Sequence, residues 1–227
     1  NDTILSIKQG AGLWLWKPYF IHKALIEECA EGDILFYLDA AAFFISDVRM
    51  IEKVMDDDIY ATCLPYIEAD WTKSETFDIM DMDKEVYKNS FQYQASFMAF
   101  RKSMRSIMFV EEWLNNCCNP DLINPAQNIG KQIETFQNHR MDQSCFSLLC
   151  KKYNVSPHKD PTQFGIWGYP EVRGARYVGI KMKNEYPIVI VLHRLKDFGL
   201  RNKLRLVKRT MCLISKNIIK NIRRKRC

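Results

Sequence analysis

The sequence predicts an α/β fold that ends in a basic helical tail, and three observations support this prediction. Short apolar runs, which are typical of buried strands, alternate with segments whose apolar residues recur at helical spacing. The charge is divided unevenly, because basic residues concentrate at the C-terminal end. The length of 227 residues and the apolar fraction of 47% suffice for a full core, which excludes a disordered chain.

Four apolar runs predict strands, and they span residues 34–38, 58–64, 92–100 and 187–192. Three segments with helical spacing predict helices, and they span about residues 18–30, 103–117 and 140–153. Pro18 is well placed for a first helical turn. The uninterrupted run Ile34–Leu38 is typical of a strand buried on both faces, so we expect it at the centre of the sheet.

The tail differs from the rest of the chain in charge. Between Arg194 and Arg226 lie 13 of the 33 Lys and Arg residues but one of the 27 acidic residues, so this segment carries +12 and the remainder −6. Its apolar residues recur at steps of four and three, which predicts one helix with an apolar stripe at Leu200, Leu204, Val207, Met211, Ile214, Ile218 and Ile222. We therefore divide the chain into a body, residues 1–195, and a tail, residues 196–227.

Two interpretations of the tail stay open. An apolar stripe with basic residues on the other faces suits a helix that lies on an anionic membrane surface through residues 200–226. The same pattern suits a helix that packs on the body and leaves its basic face in water. No nucleic-acid partner is expected, because aromatic residues are not interleaved with the basic ones and the body is acidic.

The remaining composition predicts a cytoplasmic protein. No apolar run reaches the ~18 residues that a membrane-spanning helix needs. The eight cysteines show no paired spacing of a zinc site and are too sparse for a disulfide scaffold, so we expect reduced thiols. The chain begins with Asn and no leader follows, so we expect a trimmed start or a piece of a longer protein.

Polar residues at three places follow or begin predicted elements. Asp39 follows the first strand, Asp142 and Gln143 lie near a helix start, and His193 follows the last strand. Carboxylate and imidazole groups of this kind can hold Mg²⁺ or Mn²⁺ together with a diphosphate. Each position also has a structural interpretation, since Asp39 fits a turn, Asp142 fits the first turn of its helix and His193 fits a packed position.

Lys17 and two tryptophans beside it form a further candidate group. Lys17 could pair with a phosphate at a helix start, or it could lie at the surface. Trp14 and Trp16 could form a platform for a sugar or a base, or they could pack in the core. The residue types alone leave both interpretations open.

Five strings of the body stand in a characteristic order. They are GLWLWKPY at residues 12–19, GDILFYLDA at 32–40, WTK at 71–73, EWL at 112–114 and HRMDQS at 139–144. In this order they resemble a family of nucleotide-sugar glycosyltransferases with the GT-A fold, found in bacterial capsule and lipopolysaccharide synthesis. The resemblance spans about residues 10–195. It implies a Rossmann-like α/β/α sandwich and the transfer of a sugar from a nucleotide diphosphate to an acceptor hydroxyl.

The resemblance assigns the donor side of a site. Asp39 matches the first aspartate of the DxD-type motif, whereas Ala41 stands at the third position and offers no second carboxylate. A divalent cation, Mn²⁺ or Mg²⁺, is then held by Asp39, His193 and phosphate oxygens, or cations such as Lys17 stabilise the leaving group without a metal. The donor-binding candidates are Asp39, Lys17, Trp16, Ala41 and Arg194.

The resemblance also assigns the reacting side. Asp142 and Gln143 match the acidic pair position that these enzymes place under the donor sugar. Asp142 is then the general base if the configuration inverts, and Asp142 or Gln143 stabilises an oxocarbenium-like centre if it is retained. Gln94 is expected to point into the same cleft. The acceptor-binding candidates are Trp71, Thr72 and Lys73.

These assignments predict a cytoplasmic glycosyltransferase, peripheral on the inner face of a membrane. It would use a nucleotide-sugar donor such as a UDP-sugar and a glycan or lipid-linked acceptor. Two alternatives stay open. Ala41, and the lack of room before Gly10 for the first strand usual in GT-A domains, favour a non-catalytic sugar-nucleotide or glycan-binding protein. The basic tail alone would suit a protein that acts at the membrane surface.

Overall fold

A computed structural model describes residues 1–126, 132–179, 186–193 and 200–224, without the side chains of residues 203, 206 and 216–224. Within these residues the fold is mixed α/β, and its sheet is mostly antiparallel. The chain forms two compact units. The larger unit comprises Asn1–Tyr37, Asp56–His158 and Glu171–Lys181, and the smaller unit comprises Leu38–Met55, Lys159–Pro170 and Met182–Cys227. The predicted boundary at residue 195 stays a prediction.

The described strands are β1 (Ile34–Leu38), β2 (Ala42–Phe44), β3 (Ile59–Ile67), β4 (Phe91–Tyr93), β5 (Phe97–Arg101), β6 (Pro157–His158) and β7 (Ile190–Leu192). The first sheet has the order β1-β5-β3-β4, with β6 paired to β3, and the second consists of β2 and β7. β3 pairs antiparallel with β4 and β5 and parallel with β6. The first sheet is therefore built around β3, which is buried along almost its whole length.

The described helices are α1 (Asp2–Leu5), α2 (Gly10–Leu13), α3 (Trp16–Glu27), α4 (Arg49–Glu52), α5 (Glu68–Trp71), α6 (Ser74–Ile79), α7 (Glu85–Lys88), α8 (Met104–Cys117), α9 (Pro120–Ile123), α10 (Met141–Lys152), α11 (Phe164–Trp167) and α12 (Leu200–Arg224). The three predicted body helices correspond to α3, α8 and α10. Pro18 lies in the first turn of α3, as its fixed φ favours.

Residues 34–38 form a strand as predicted, but the prediction that this strand lies at the centre of the sheet is wrong. All five residues of β1 are half-buried, and β1 ends the described strand order, next to β5. Leu35 and Tyr37 pack against the main core, so the apolar run serves packing on one side. An uninterrupted apolar run indicates a strand but does not fix its place in the sheet.

The predicted strand over residues 92–100 is divided in two. β4 and β5 are separated by residues 94–96, and both strands pair with β3 at different points along its length. Both pairings are antiparallel, so the mixed α/β prediction is confirmed in its coarse form only. The Rossmann-like sandwich of the GT-A fold stays a prediction.

One part of the core of the larger unit lies where α8 and α10 pack together. Ser103 begins α8 with a capping box, since its Oγ accepts the Ser106 N–H at 3.2 Å and its own N–H donates to Ser106 Oγ at 3.1 Å. The rings of Phe109 and Trp113 lie 5.7 and 4.9 Å from that of Phe146 on α10, measured between centroids. This packing fixes the start of α10, which carries the candidate residues Asp142 and Gln143.

The smaller unit is built on the two-stranded ribbon of β2 and β7. Ala42 lies opposite Leu192, and Phe44 lies opposite Ile190. Ile188, Val191 and Leu213 form its buried apolar cluster, so this cluster joins β7 to α12.

Candidate functional site

A left-handed turn places Lys17 in the larger unit. Residues 10–14 all have positive φ values, between 50° and 95°. A Cβ at Gly10 would lie 2.4 Å from the Trp14 ring, so this position requires glycine. The Trp16 indole N–H donates to the Gly10 carbonyl at 2.9 Å and closes the turn. The chain then enters α3, and the Lys17 side chain is buried.

Lys17 and Asp142 form a buried ion pair. Lys17 Nζ lies 2.8 Å from Asp142 Oδ2, and their side chains are 5% and 6% exposed. Lys17 Nζ also donates to the Ala95 carbonyl at 2.8 Å, and its charge lies 5.3 Å from the centre of the Tyr37 ring. The Asp142 carbonyl accepts the Trp113 indole N–H at 2.9 Å, which fixes the backbone of this turn. The structure therefore joins two predicted site residues directly.

Gln143 extends this cluster to the gap between β4 and β5. Its Nε2 donates to Gln92 Oε1 at 2.8 Å, and its Oε1 accepts the Ala95 N–H at 3.3 Å. Gln94, in the same gap, donates from Nε2 to Thr62 Oγ1 at 2.7 Å. Both Gln92 and Gln94 are buried polar residues. The break in the predicted strand is thus where the sheet meets the candidate site.

Glu68 is a buried carboxylate beside this cluster that sequence reasoning missed. Its Oε1 accepts Thr72 Oγ1 at 2.6 Å and Gln92 Nε2 at 3.0 Å. Its Oε2 accepts Ser147 Oγ and pairs with Lys151 Nζ. Burial lowers the pKa of Lys151, and the Glu68 charge opposes this effect. An acid directly after the apolar run of β3 is the same signal that selected Asp39, and it could have selected Glu68.

Two of the predicted acceptor-binding residues have buried side chains bonded within the protein. Thr72 donates to Glu68, and Lys73 Nζ donates to the carbonyls of Asn124 and Ala126 at 2.8 and 3.1 Å. Burial lowers the pKa of Lys73. Its backbone N–H points to His139 Nδ1. Their role in acceptor binding stays a prediction.

Trp71, the third acceptor candidate, lies in an aromatic and cationic cluster. The Arg140 guanidinium lies 4.0 Å from the centre of the Trp71 ring, and the Tyr66 ring lies 5.4 Å away. Among the described residues the Trp71 indole N–H has no hydrogen-bond partner. Trp71 therefore keeps one buried donor that a bound hydroxyl could satisfy.

Asp39, Ala41 and His193 come together in the smaller unit. The Ala42 N–H donates to the Asp39 carbonyl at 3.0 Å, and the His193 N–H donates to the Ala41 carbonyl at 2.9 Å. The His193 ring lies 6.1 Å from that of Phe43. The pairing of β2 with β7 thus brings the DxD-like turn beside the histidine. Arg194 lies outside the described residues.

The predicted metal ligands are Asp39 and His193. Among the described residues, no group of three or more His, Cys, Asp or Glu side chains is arranged to hold a metal ion. The backbone of His193 lies beside the turn that begins at Asp39, and metal binding by these two residues stays a prediction.

Comparisons with protein-family models, with curated proteins and with solved structures found no match to this chain. In the part of the chain that the structure describes, no helix combines the length and apolar character needed to cross a membrane.

Proposed function

We propose that the protein is a glycosyltransferase that moves a sugar from a nucleotide-diphosphate donor to a hydroxyl of a glycan or lipid-linked acceptor. The observation that supports this proposal most directly is the 2.8 Å ion pair between Lys17 and Asp142. These residues belong to two strings, 12–19 and 139–144, that are distant in the sequence, and both were candidate site residues on the sequence alone. Residues of one site must lie close together in the fold, and Lys17 and Asp142 do.

In this proposal Asp142 and Gln143 act on the reacting sugar. If the configuration inverts, the Asp142 carboxylate accepts the proton of the acceptor hydroxyl as the oxygen attacks the anomeric carbon. The bond from that carbon to the diphosphate oxygen breaks, and the nucleoside diphosphate leaves with its electron pair. If it is retained, Asp142 or Gln143 stabilises positive charge at that carbon. Lys17 holds the carboxylate in place, and the bonds of Gln143 to Gln92 and Ala95 fix the orientation of its amide.

The family resemblance, and no observed contact, assigns Asp39, Trp16, Lys17, Ala41 and Arg194 to the donor diphosphate, such as that of a UDP-sugar. A Mn²⁺ or Mg²⁺ ion, when bound, would neutralise phosphate charge. Asp39 and His193 are the residues that would hold it, and the backbone bond from the His193 N–H to the Ala41 carbonyl puts the end of β7 beside the turn that begins at Asp39. Trp71, Thr72 and Lys73 are assigned to the acceptor side.

The proposal includes the GT-A arrangement and a place in the cytoplasm, peripheral on the inner face of a membrane. The described cysteines support a reducing compartment, since all seven are free thiols. An enzyme of capsule or lipopolysaccharide synthesis would meet a lipid-linked acceptor at that face.

A non-catalytic sugar-nucleotide or glycan-binding protein is the second candidate. Two observations favour it: Ala41 leaves the DxD-like motif with one carboxylate, and the ion pair of Lys17 and Asp142 is buried. A buried pair can serve stability as well as chemistry.

Donor hydrolysis separates the two candidates. The full chain is incubated with UDP-, GDP- and CMP-sugars and Mn²⁺, and the released nucleotide is measured. We expect release from at least one donor. Silence across the panel, with a candidate acceptor present, together with a donor-induced rise in melting temperature, would establish the binder instead.

Two variants test the division of labour once a donor is known. Asp39→Asn should raise the KM for the donor by roughly tenfold, because a charge-assisted contact is lost. Asp142→Asn should lower kcat by roughly a hundredfold or more at similar donor affinity. Asp78→Asn, at an exposed position of α6, is the matched control and should change neither. Equal losses of donor affinity in both site variants would contradict these roles.

A further inference from the structure

The last helix, α12, exposes an apolar stripe to water. Its apolar side chains at Leu200, Leu204, Val207, Met211 and Ile214 are 39–76% exposed. They recur at steps of four and three, so they form one continuous stripe along the helix. A contiguous exposed apolar surface of this kind marks an interaction site.

The other side of α12 is held by the smaller unit. Leu213 is fully buried and packs with Ile188 and Val191. The Arg209 guanidinium lies 5.6 Å from the centre of the Trp167 ring on α11. At 3.6 residues per turn, Leu213 and Arg209 lie away from the stripe, so the helix is docked through a different face.

Basic residues border the stripe on the exposed surface. Arg201, Arg205 and Lys208 are exposed and recur at helical spacing beside the stripe. The sequence contains no acidic residue from Leu200 to its end. The surface therefore joins an apolar strip to a positive strip, and its complement must be apolar and negative together.

We infer that this surface binds an anionic phospholipid bilayer. The stripe enters the boundary between the headgroups and the acyl chains, and Arg201, Arg205 and Lys208 pair with lipid phosphates and other anionic headgroup oxygens. The helix lies parallel to the membrane plane and keeps its contacts through Leu213. The inference rests on the membrane position that the proposed function includes and names the surface responsible for it. Because this surface contains no residue assigned to sugar transfer, it can be tested without a donor.

Other occupants fit the surface less well. A second copy that paired stripe to stripe would bring the basic strips of both copies together, which costs electrostatic energy. A nucleic acid would neutralise the basic strip but leave the apolar stripe in water, and residues 200–224 contain no aromatic side chain on which bases could stack.

Vesicle flotation with the full chain tests the inference. We expect the protein to float with vesicles of phosphatidylcholine mixed with phosphatidylserine and to stay at the bottom with phosphatidylcholine alone. High salt should weaken the binding, because the basic strip contributes through screened charges. Equal binding to both kinds of vesicle, or binding to neither, would overturn the inference.

Two sets of substitutions assign the binding to this surface. Leu204→Glu with Met211→Glu should weaken vesicle binding at least tenfold, because both place a charge where the acyl chains would lie. Neutralising Arg201, Arg205 and Lys208 to Gln should weaken it roughly a hundredfold, since each basic residue near an anionic surface contributes about a factor of five. Val86→Glu changes an exposed apolar residue of α7 and is the matched control.

Because the substituted side chains are exposed, the variants should keep the wild-type circular dichroism spectrum and melting temperature. Unchanged flotation of either site variant would refute the assignment. Light scattering completes the test: a dimer that Leu204→Glu dissociates, in a protein that ignores anionic vesicles, would identify a second copy as the occupant.

Discussion

Lys17 and Asp142 belong to residue types that folded proteins seldom bury. Each charge would lose much of its hydration energy if it were buried alone, and the pair offsets that loss through its 2.8 Å contact. The bond from Lys17 to the Ala95 carbonyl satisfies a second donor position. The two residues therefore depend on each other, whatever their part in chemistry.

Breaking this pair should destabilise the protein strongly. Lys17→Met leaves the Asp142 charge without its cation, so we expect the free energy of unfolding in urea to fall by about 3–5 kcal/mol. The double variant Lys17→Met with Asp142→Leu should lose much less than the sum of the two single changes. Lys23→Met, in the exposed pair with Glu27, is the control and should be neutral within error. Additive losses would show that Lys17 and Asp142 do not interact.

His139 makes the stability of the larger unit depend on pH. Burial lowers its pKa to about 3, and the Lys73 charge acts in the same direction. Its Nε2–H donates to the Leu122 carbonyl at 2.8 Å, and its Nδ1 faces the Lys73 N–H, so the neutral ring fits this site. The unfolded chain binds this proton near pH 6.5, so the folded state is disfavoured below that pH.

Unfolding measured in urea at several pH values tests this effect. Above pH 6.5 the neutral His139 does not lower the free energy of unfolding. As the pH drops from 6.5 toward 3, the free energy of unfolding falls by about 1.4 kcal/mol per pH unit because of this residue. His139→Gln should remove this part of the slope, whereas His22→Gln, at a half-buried position, should keep it. Identical slopes in wild type and His139→Gln would contradict the lowered pKa.

At the level of single residues, the sequence indicated candidate site residues but not the residues that they contact. Lys17, Asp142 and Gln143 were selected from strings, yet nothing local indicates that Lys17 meets Asp142 or that Gln143 meets Gln92. Such contacts depend on how α3 and α10 pack. Glu68 was missed because the predicted strand ended at residue 64, whereas β3 continues to Ile67 and Glu68 follows it directly.

Among the elements, α8 shows how a local sequence feature, its capping box, helps to position the structure around the candidate site. The capping box of Ser103 and Ser106 satisfies free N–H groups at the start of the helix. Ser103 Oγ also donates to Asp58 Oδ2 at 2.7 Å, and Asp58 immediately precedes β3. The start of α8 is thus fixed to the strand that carries the sheet.

Ser103→Ala should lower the free energy of unfolding by about 1 kcal/mol, because the cap to the Ser106 N–H is lost. Ser103→Thr keeps a hydroxyl acceptor and should recover most of the loss. Chemical denaturation monitored by tryptophan fluorescence measures both. A loss in Ser103→Thr as large as that in Ser103→Ala would show that the cap is not the cause.

Periodicity located α3 and α8 well, because each buries one face along several turns. It also located α10, although that helix is buried on most sides. It failed where tertiary contacts, and not the local apolar pattern, determine the conformation of the backbone. Residues 94–96 interrupt a strand-like run, since this segment supplies Gln94 to Thr62 and the Ala95 backbone to Lys17 and Gln143. The antiparallel pairing of β3 with β4 and β5 likewise has no signature in the apolar runs themselves.

At the scale of the molecule, the seven cysteine thiols that the structure describes differ in their solvent exposure. Cys63, Cys117, Cys145 and Cys150 are buried, Cys29 and Cys118 are half-buried, and Cys212 is exposed. Burial raises the pKa of Cys117 and Cys150 well above the usual range, which suppresses the reactive thiolate.

Thiol labelling of the native protein should therefore proceed in order of exposure. Among the seven thiols that the structure describes, peptide mapping by mass spectrometry should find Cys212 modified first and the four buried thiols modified only after denaturation. Cys212→Ser should remove the fast reaction at that peptide and leave the others unchanged. Rapid native labelling of Cys117 or Cys150 would show that the core around α8 and α10 opens readily.

The left-handed run at residues 10–14 has a practical consequence. Ala11, Leu13 and Trp14 each adopt a conformation that costs about 1–2 kcal/mol, and burial of Leu13 and the bond from Trp16 to Gly10 offset that cost only in the folded protein. A synthetic peptide of residues 9–20 would relax to other shapes. Antibodies raised against it would stain the denatured chain on a blot and ignore the native antigen.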